Sequence, residues 1–118
     1  MPYATAVANA MLELLDATGT HPATHLSMHT GDPGDTGASE VTGGSYTRQA
    51  ITWAPAADGA KSITGAPVFQ IPAGTAVTHF GLWSAASGGS WRGGDALPSP
   101  ETYSGPGTYT ADSLTITP

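Results

Sequence analysis

Three histidines, His21, His25 and His29, recur every four residues. On a helix that spacing would bring three imidazoles to one side, where a metal ion could sit. Pro22 argues against such a helix, as does the alternation of Leu26, Met28 and Thr30 with His25, Ser27 and His29. On a strand, residues four apart are separated by roughly 13 Å, too far to share one zinc ion. The expectation is a strand with polar residues along one face. Asp32, Asp35 and Glu40 follow in a Gly-rich segment and could offer carboxylates to calcium. Their spacing lacks the alternating oxygens and terminal bidentate Glu of an EF-hand. Asp-Pro-Gly at 32–34 reads as a turn, with Asp bonding nearby backbone and Pro fixing φ. No metal or cofactor is expected.

Hydroxyls, histidines and carboxylates together raise the question of a Ser-His-Asp hydrolase. No nucleophile-elbow pattern marks a particular serine. His79 sits between Thr78 and Phe80 in a strand-like run, where a partly buried, satisfied histidine is expected rather than a base. The Gly-Gly pairs at 43–44, 88–89 and 93–94 are not followed by the Lys-Ser/Thr start of a phosphate-binding helix. Trp53, Trp83 and Trp91, with Tyr46, Tyr103 and Tyr109, could stack on sugars, but aromatics also fill cores and anchor interfaces. The chain is read as non-enzymatic.

The elements that would position these residues begin with a helix over residues 3–17. Ala4, Val7, Ala8, Met11, Leu12, Leu14 and Leu15 recur at three- and four-residue spacings. Thr5, Asn9, Glu13 and Asp16 occupy the remainder, Pro2 suits the entrance, and Gly19 suits a stop. The period then changes from 3.6 to 2. Strand-like runs are expected at 25–30, 45–53, 66–71, 76–84, 91–97, 107–111 and 113–117, with Ala54–Lys61 as a loop. On the 76–84 strand, Val77, His79, Gly81 and Trp83 should share one face; Thr78, Phe80, Leu82 and Ser84 should share the other. The expected fold is mainly β: an antiparallel β-sandwich, Ig-like or jelly-roll-like, of about seven or eight short strands. It forms one domain over 1–118, the sandwich occupying 24–117 and the N-terminal helix packing on it or on a neighbour.

Composition narrows the function classes. Of 118 residues only 10% are charged, against about 25% in a typical domain. Arg48, Lys61 and Arg92 are the only fixed cations in a chain of net charge −6. Three scattered cations cannot displace the counterions of a nucleic acid or hold an anionic membrane surface. With no cysteine, thiol chemistry and disulfides are excluded. No apolar run approaches the ~20 residues of a membrane span, and the N-terminus lacks a basic signal region.

Three phrases carry a resemblance: HLSMHTGDPGDTGASEVTGGSYTRQAITW, then VTHFGLWSAASGG, then GPGTYTADSLTIT. With the opening ANAMLELL helix, they are similar in order to a family of small tailed-phage proteins often labelled tail fibre proteins. The resemblance covers nearly the whole chain and implies a virion structural protein, assembled in the bacterial host cytoplasm. It transfers no catalytic residue. A fibre shaft needs length, repeats or heptads, so a compact chain favours a capsid decoration or minor capsid protein, with a tail-fibre-type or minor tail protein as the alternative. A glycan- or receptor-binding module is the alternative of another class. The expected partners are copies of the chain itself in a symmetric ring, other phage structural proteins (major capsid or tail), and a host-surface glycan in the third reading. Val7, Met11 and Leu14 on the helix and the aromatics Trp91 and Tyr103 are the candidate interface residues.

Overall fold

Period-two alternation and closely spaced turns produce a mainly β fold in the computed structural model, which describes residues 3–112 and 114–118. One helix, α1 (Thr5–Glu13), precedes nine strands among the described residues. They are β1 (His25–His29), β2 (Gln49–Ala50), β3 (Thr52–Trp53), β4 (Lys61–Thr64), β5 (Val68–Ile71), β6 (Thr75–Trp83), β7 (Trp91–Tyr103), β8 (Gly107–Thr110) and β9 (Thr115–Ile116). They form three antiparallel sheets in a sandwich-like arrangement, with orders β2-β1-β6-β7, β3-β4-β9 and β5-β8. Leu26, Met28, Phe69, Ile71, Val77, Phe80 and Leu82 meet in the core between them.

Several expected boundaries move, each for a local reason. The α-helix ends at Glu13 rather than at residue 17. Beyond it the N–H groups of Leu14, Leu15 and Asp16 bond three residues back, a tightened final turn. The Gly19 N–H then donates to the Asp16 carbonyl at 2.8 Å and closes that turn. The run expected at 45–53 is two short strands in different sheets, separated by the buried Ile51. The expected loop at 54–61 is a hairpin. Asp58 and Gly59 both take positive φ, 52° and 77°, as a two-residue primed turn requires. Ala57 and Ala60 exchange backbone hydrogen bonds at 2.9 Å across it, and β4 follows.

The face assignment on β6 also changes. A register shift between Val77 and His79 moves Val77 onto the core side with Phe80 and Leu82. A bulge inserts residues without partners and reverses the parity that strict alternation predicts. On β7 the matching excursion runs from Leu97 to Pro100, between Ala96 opposite His79 and Glu101 opposite Val77. Leu97 turns into the core while both prolines, which lack the ladder donor, lie in the excursion.

β1 is the sheet's most enclosed strand. Leu26 and Met28 face the core, yet Ser27 and His29 on the opposite face are also wholly buried. The cover is the segment from Thr30 to Arg48, which folds back over the sheet.

Candidate functional site

The candidate site lies where that segment crosses β1 and β6. Met28 bonds it along the backbone: Val41 N–H donates to the Met28 carbonyl at 2.9 Å. Beside it a chain of polar groups runs through the protein. Trp83 Nε1–H donates to Ser27 Oγ at 2.9 Å, and Ser27 Oγ lies 2.7 Å from His29 Nε2. His29 Nδ1 lies 2.7 Å from the Ala38 carbonyl oxygen. A carbonyl only accepts, so Nδ1 carries the proton and Nε2 accepts from the Ser27 hydroxyl. Every group in the chain then has one direction. Burial holds His29 below the ordinary histidine pKa, against the pull of the Ala38 carbonyl and Glu40.

A second cluster fastens the same segment. Arg48 grips Glu40 with two bonds, Nε to Oε2 at 3.0 Å and Nη2 to Oε1 at 2.9 Å. Its Nη1 donates to the carbonyls of Ala85 and Gly88 at 3.2 and 2.9 Å. Its guanidinium carbon sits 3.8 Å from the centre of the Trp83 ring, a cation–π contact. Tyr46 donates to Glu40 Oε2 and accepts from Met28 N–H, both at 2.9 Å. Burial pushes its phenol pKa up. Trp83 and Trp91 meet edge to face at 5.0 Å, and Trp91 meets His29 at 5.6 Å. Glycine is required opposite this cluster. A Cβ on Gly81 would stand 2.6 Å from both His29 Nε2 and Ser27 Oγ, and one on Gly37 would stand 2.6 Å from the Trp83 ring.

The three spaced histidines do not converge. His21 bonds Thr20, His25 bonds Thr24, and His29 lies in the chain above. Among the described residues no group of three or more His, Cys, Asp or Glu could hold a metal ion. Asp32 Oδ1 accepts from Gly34 N–H at 2.9 Å, which is turn chemistry. Glu40 belongs to Arg48, and Asp35 is exposed. His79 Nδ1 bonds its neighbour Thr78 at 2.8 Å, not a serine.

The Ser27–His29 pair is the arrangement that sequence reasoning missed. Its signal was available: a serine and a histidine two apart on a strand point to the same face. As a nucleophile and base the pair is incomplete. The third group is a carbonyl rather than a carboxylate, and both side chains have no exposure to solvent.

A cleft of about 840 Å³ opens on the other side of β7, between the end of α1, the Trp91–Ala96 stretch and the C-terminal segment. Met11, Leu14, Leu15, Trp91, Leu114 and Ile116 give it a mostly apolar wall. Among the candidate interface residues, Val7 and Met11 on α1 and Leu14 just beyond its end are exposed. Trp91 is half-buried against Trp83 rather than exposed. Tyr103 is also half-buried, its hydroxyl bonded to Glu101 and to the Thr108 carbonyl. A cleft that stacks on sugars needs at least two exposed aromatics with Asp or Asn nearby. This one is lined by the half-buried Trp91 and by Asp95, with Phe80 sunk in the core.

The comparison with protein families accounts for nearly the whole chain. The sequence profile of the family described as Podophage GP4 fiber I protein gp80 matches residues 2–117. The chain belongs to this family. It is therefore a phage fibre-type structural protein, as the resemblance of its motifs implied. The fibre I family places it among virion components and supports the tail-fibre alternative, while giving no support to capsid decoration. A search of curated proteins found no match.

Proposed function

We propose that the chain is a non-enzymatic structural subunit of a tailed-phage fibre, folded in the host cytoplasm and carried in the virion as a compact module rather than a shaft. The observation that carries this reading is the closure of the polar network. Ser27 and His29 are the pair best placed for chemistry, and every polar atom of theirs is already engaged within the fold. Both side chains are wholly buried. What they accomplish is attachment of the 30–48 segment, so that an irregular loop becomes a fixed surface. The membership in a fibre family supports the same reading. The lack of shaft features suits a module joined to longer fibre proteins.

Gold-labelled antibody against the folded protein, applied to intact particles, tests the placement. Label on the fibres is the expected result. Label distributed over the capsid lattice would overturn the proposal in favour of capsid decoration.

A further inference from the structure

The chain has one lysine, Lys61 at the start of β4, and the fold buries it beside two carboxyls. Lys61 is 1% exposed. Its Nζ lies 2.7 Å from Asp16 Oδ1, 2.9 Å from Glu13 Oε1 and 3.0 Å from the Ala54 carbonyl. The centre of the Trp53 ring is 5.7 Å from Nζ. Glu13 Oε1 also accepts from Ala56 N–H at 2.6 Å, and Asn9 Oδ1 accepts from Gly59 N–H at 2.9 Å. The end of α1 is thereby locked onto the hairpin that leads into the lysine.

Two features set this cluster apart from an ordinary ion pair. Arginine makes the fold's other ionic fastening, Arg48 to Glu40, and its planar fork suits carboxylates better than an ammonium does. Lysine differs in becoming a nucleophile once it gives up a proton. The second feature is the contact between the acids themselves. Hydrogen bonding to Asp16, ahead of Lys61 and Ala56 N–H, holds the Glu13 carboxyl at a pKa of about 2. A hydrogen bond between two carboxyls needs a proton on one of them. Glu13 is held ionised, so Asp16 is the one able to carry it.

We propose that Lys61 and Asp16 join as an intramolecular amide, with Glu13 carrying the proton. Burial disfavours the Lys61 ammonium, but its bonds to Asp16 and Glu13 outweigh burial and raise its pKa, so the charged pair is the resting state. Passage of one proton across the 2.7 Å contact gives the neutral amine and the carboxylic acid. The Nζ lone pair then attacks Asp16 Cγ and forms the N–C bond. Glu13 takes a proton from the attacking nitrogen and delivers it to the departing Asp16 hydroxyl. The C–O bond breaks, water leaves, and Glu13 returns to its starting state. One amine and one carboxylic acid become one amide and one water, with no other reactant. The Glu13 and Asp16 side chains are 42% and 27% exposed, which gives the water an exit. Well-oriented groups in one molecule react as if present at about 10⁵–10⁸ M, which lets an unactivated acid take part. The product ties the end of α1 to β4 covalently in a chain that has no cysteine for a disulfide.

Intact mass decides the matter. The unaltered chain, folded and held at neutral pH, should become lighter by one water. Its tryptic digest should then yield the segments around Asp16 and Lys61 as one joined fragment. The same chain kept unfolded in guanidinium should retain its full mass. Lys61→Arg keeps a cation beside both acids but supplies no amine nucleophile, and should also retain its full mass. Asp16→Asn should lose ammonia instead of water, because the same attack expels the side-chain nitrogen. Glu13→Gln should slow the change, and an equal rate would remove Glu13 from the reaction. The proposal fails if the folded, unaltered chain stays at full mass, which leaves Lys61 in a plain ion pair. It fails equally if Lys61→Arg also loses water, which points instead to ring closure at Asp58-Gly59. Should a variant unfold, the joined fragment from the unaltered chain still decides.

Discussion

Ser27→Ala removes one oxygen from the centre of the polar chain and little else. The methyl group occupies the same space, so no packing is lost. Two partners are left behind, Trp83 Nε1–H and His29 Nε2. His29 is fully buried and cannot turn to water, and its ring is held from the other side by the Ala38 carbonyl. An unsatisfied buried polar group costs about 1–3 kcal/mol. Trp83 is half-buried and recovers part of its loss from solvent, so the sum is about 2–4 kcal/mol. That is a large share of the roughly 5–15 kcal/mol that stabilises a typical domain. Urea unfolding at pH 8, followed by tryptophan fluorescence, should show the midpoint falling by about 1–2 M at a slope of about 2 kcal/mol per molar. A loss below about 1 kcal/mol would refute the directed chain and leave the short Ser27–His29 distance as mere proximity.

Arg48→Lys should lose the two-pronged hold on Glu40 and the flat contact with Trp83 despite keeping the charge; the expected cost is about 1–3 kcal/mol, read by urea unfolding. Limited proteolysis of that variant should also cut the 30–48 segment faster. Gly81→Ala forces a methyl group between Ser27, His29 and the Trp91 ring, and should cost about 1–3 kcal/mol as overpacking, read as a lower thermal midpoint. His29 has a folded pKa below its ordinary 6.5, so the unfolded chain takes up its proton first. Its stabilising contribution is complete above about pH 6.5 and is lost as pH falls below that value, at no more than about 1.4 kcal/mol per pH unit. His29→Gln should flatten the stability profile in that window; an unchanged profile would remove His29 as its cause.

Alternation located β1, β5, β6 and β8 to within a residue or two because each alternates over several positions about a buried face. It failed where the backbone itself breaks the period. The bulge at Val77/His79 cannot be seen in residue types that suit either face. The hairpin at Asp58-Gly59 was legible and overlooked: Asp-Gly is among the strongest short turn signals, obscured here by flanking alanines that have little strand preference. The helix was visible from its apolar spacing, but its orientation was not. Its inward side is decided by Lys61, some fifty residues away, whose ammonium gathers Glu13 and Asp16. Nothing local to 5–13 states that. The polar chain at Ser27 was half legible, since same-face spacing brings Ser27 and His29 together. The Ala38 and Trp83 partners depend on how a long loop returns to the sheet.

The three fixed cations show a common logic. Arg48 ties down the 30–48 segment, Lys61 ties down α1, and Arg92 Nε donates to the Pro22 carbonyl at 3.1 Å and ties down the connector before β1. Each secures a stretch that has little or no sheet pairing of its own. The remaining acids, Asp32, Asp35, Asp58, Asp95, Glu101 and Asp112, are exposed, which gives a chain of net charge −6 a negative surface. Because α1 is fastened on its inner side by ions, hydrogen bonds and the buried Ala8 and Leu12, Val7 on its outer side carries little of the fold's stability. Substitutions at Ser27 and Arg48 should therefore lower stability, whereas a polar replacement of the exposed Val7 should leave it nearly unchanged.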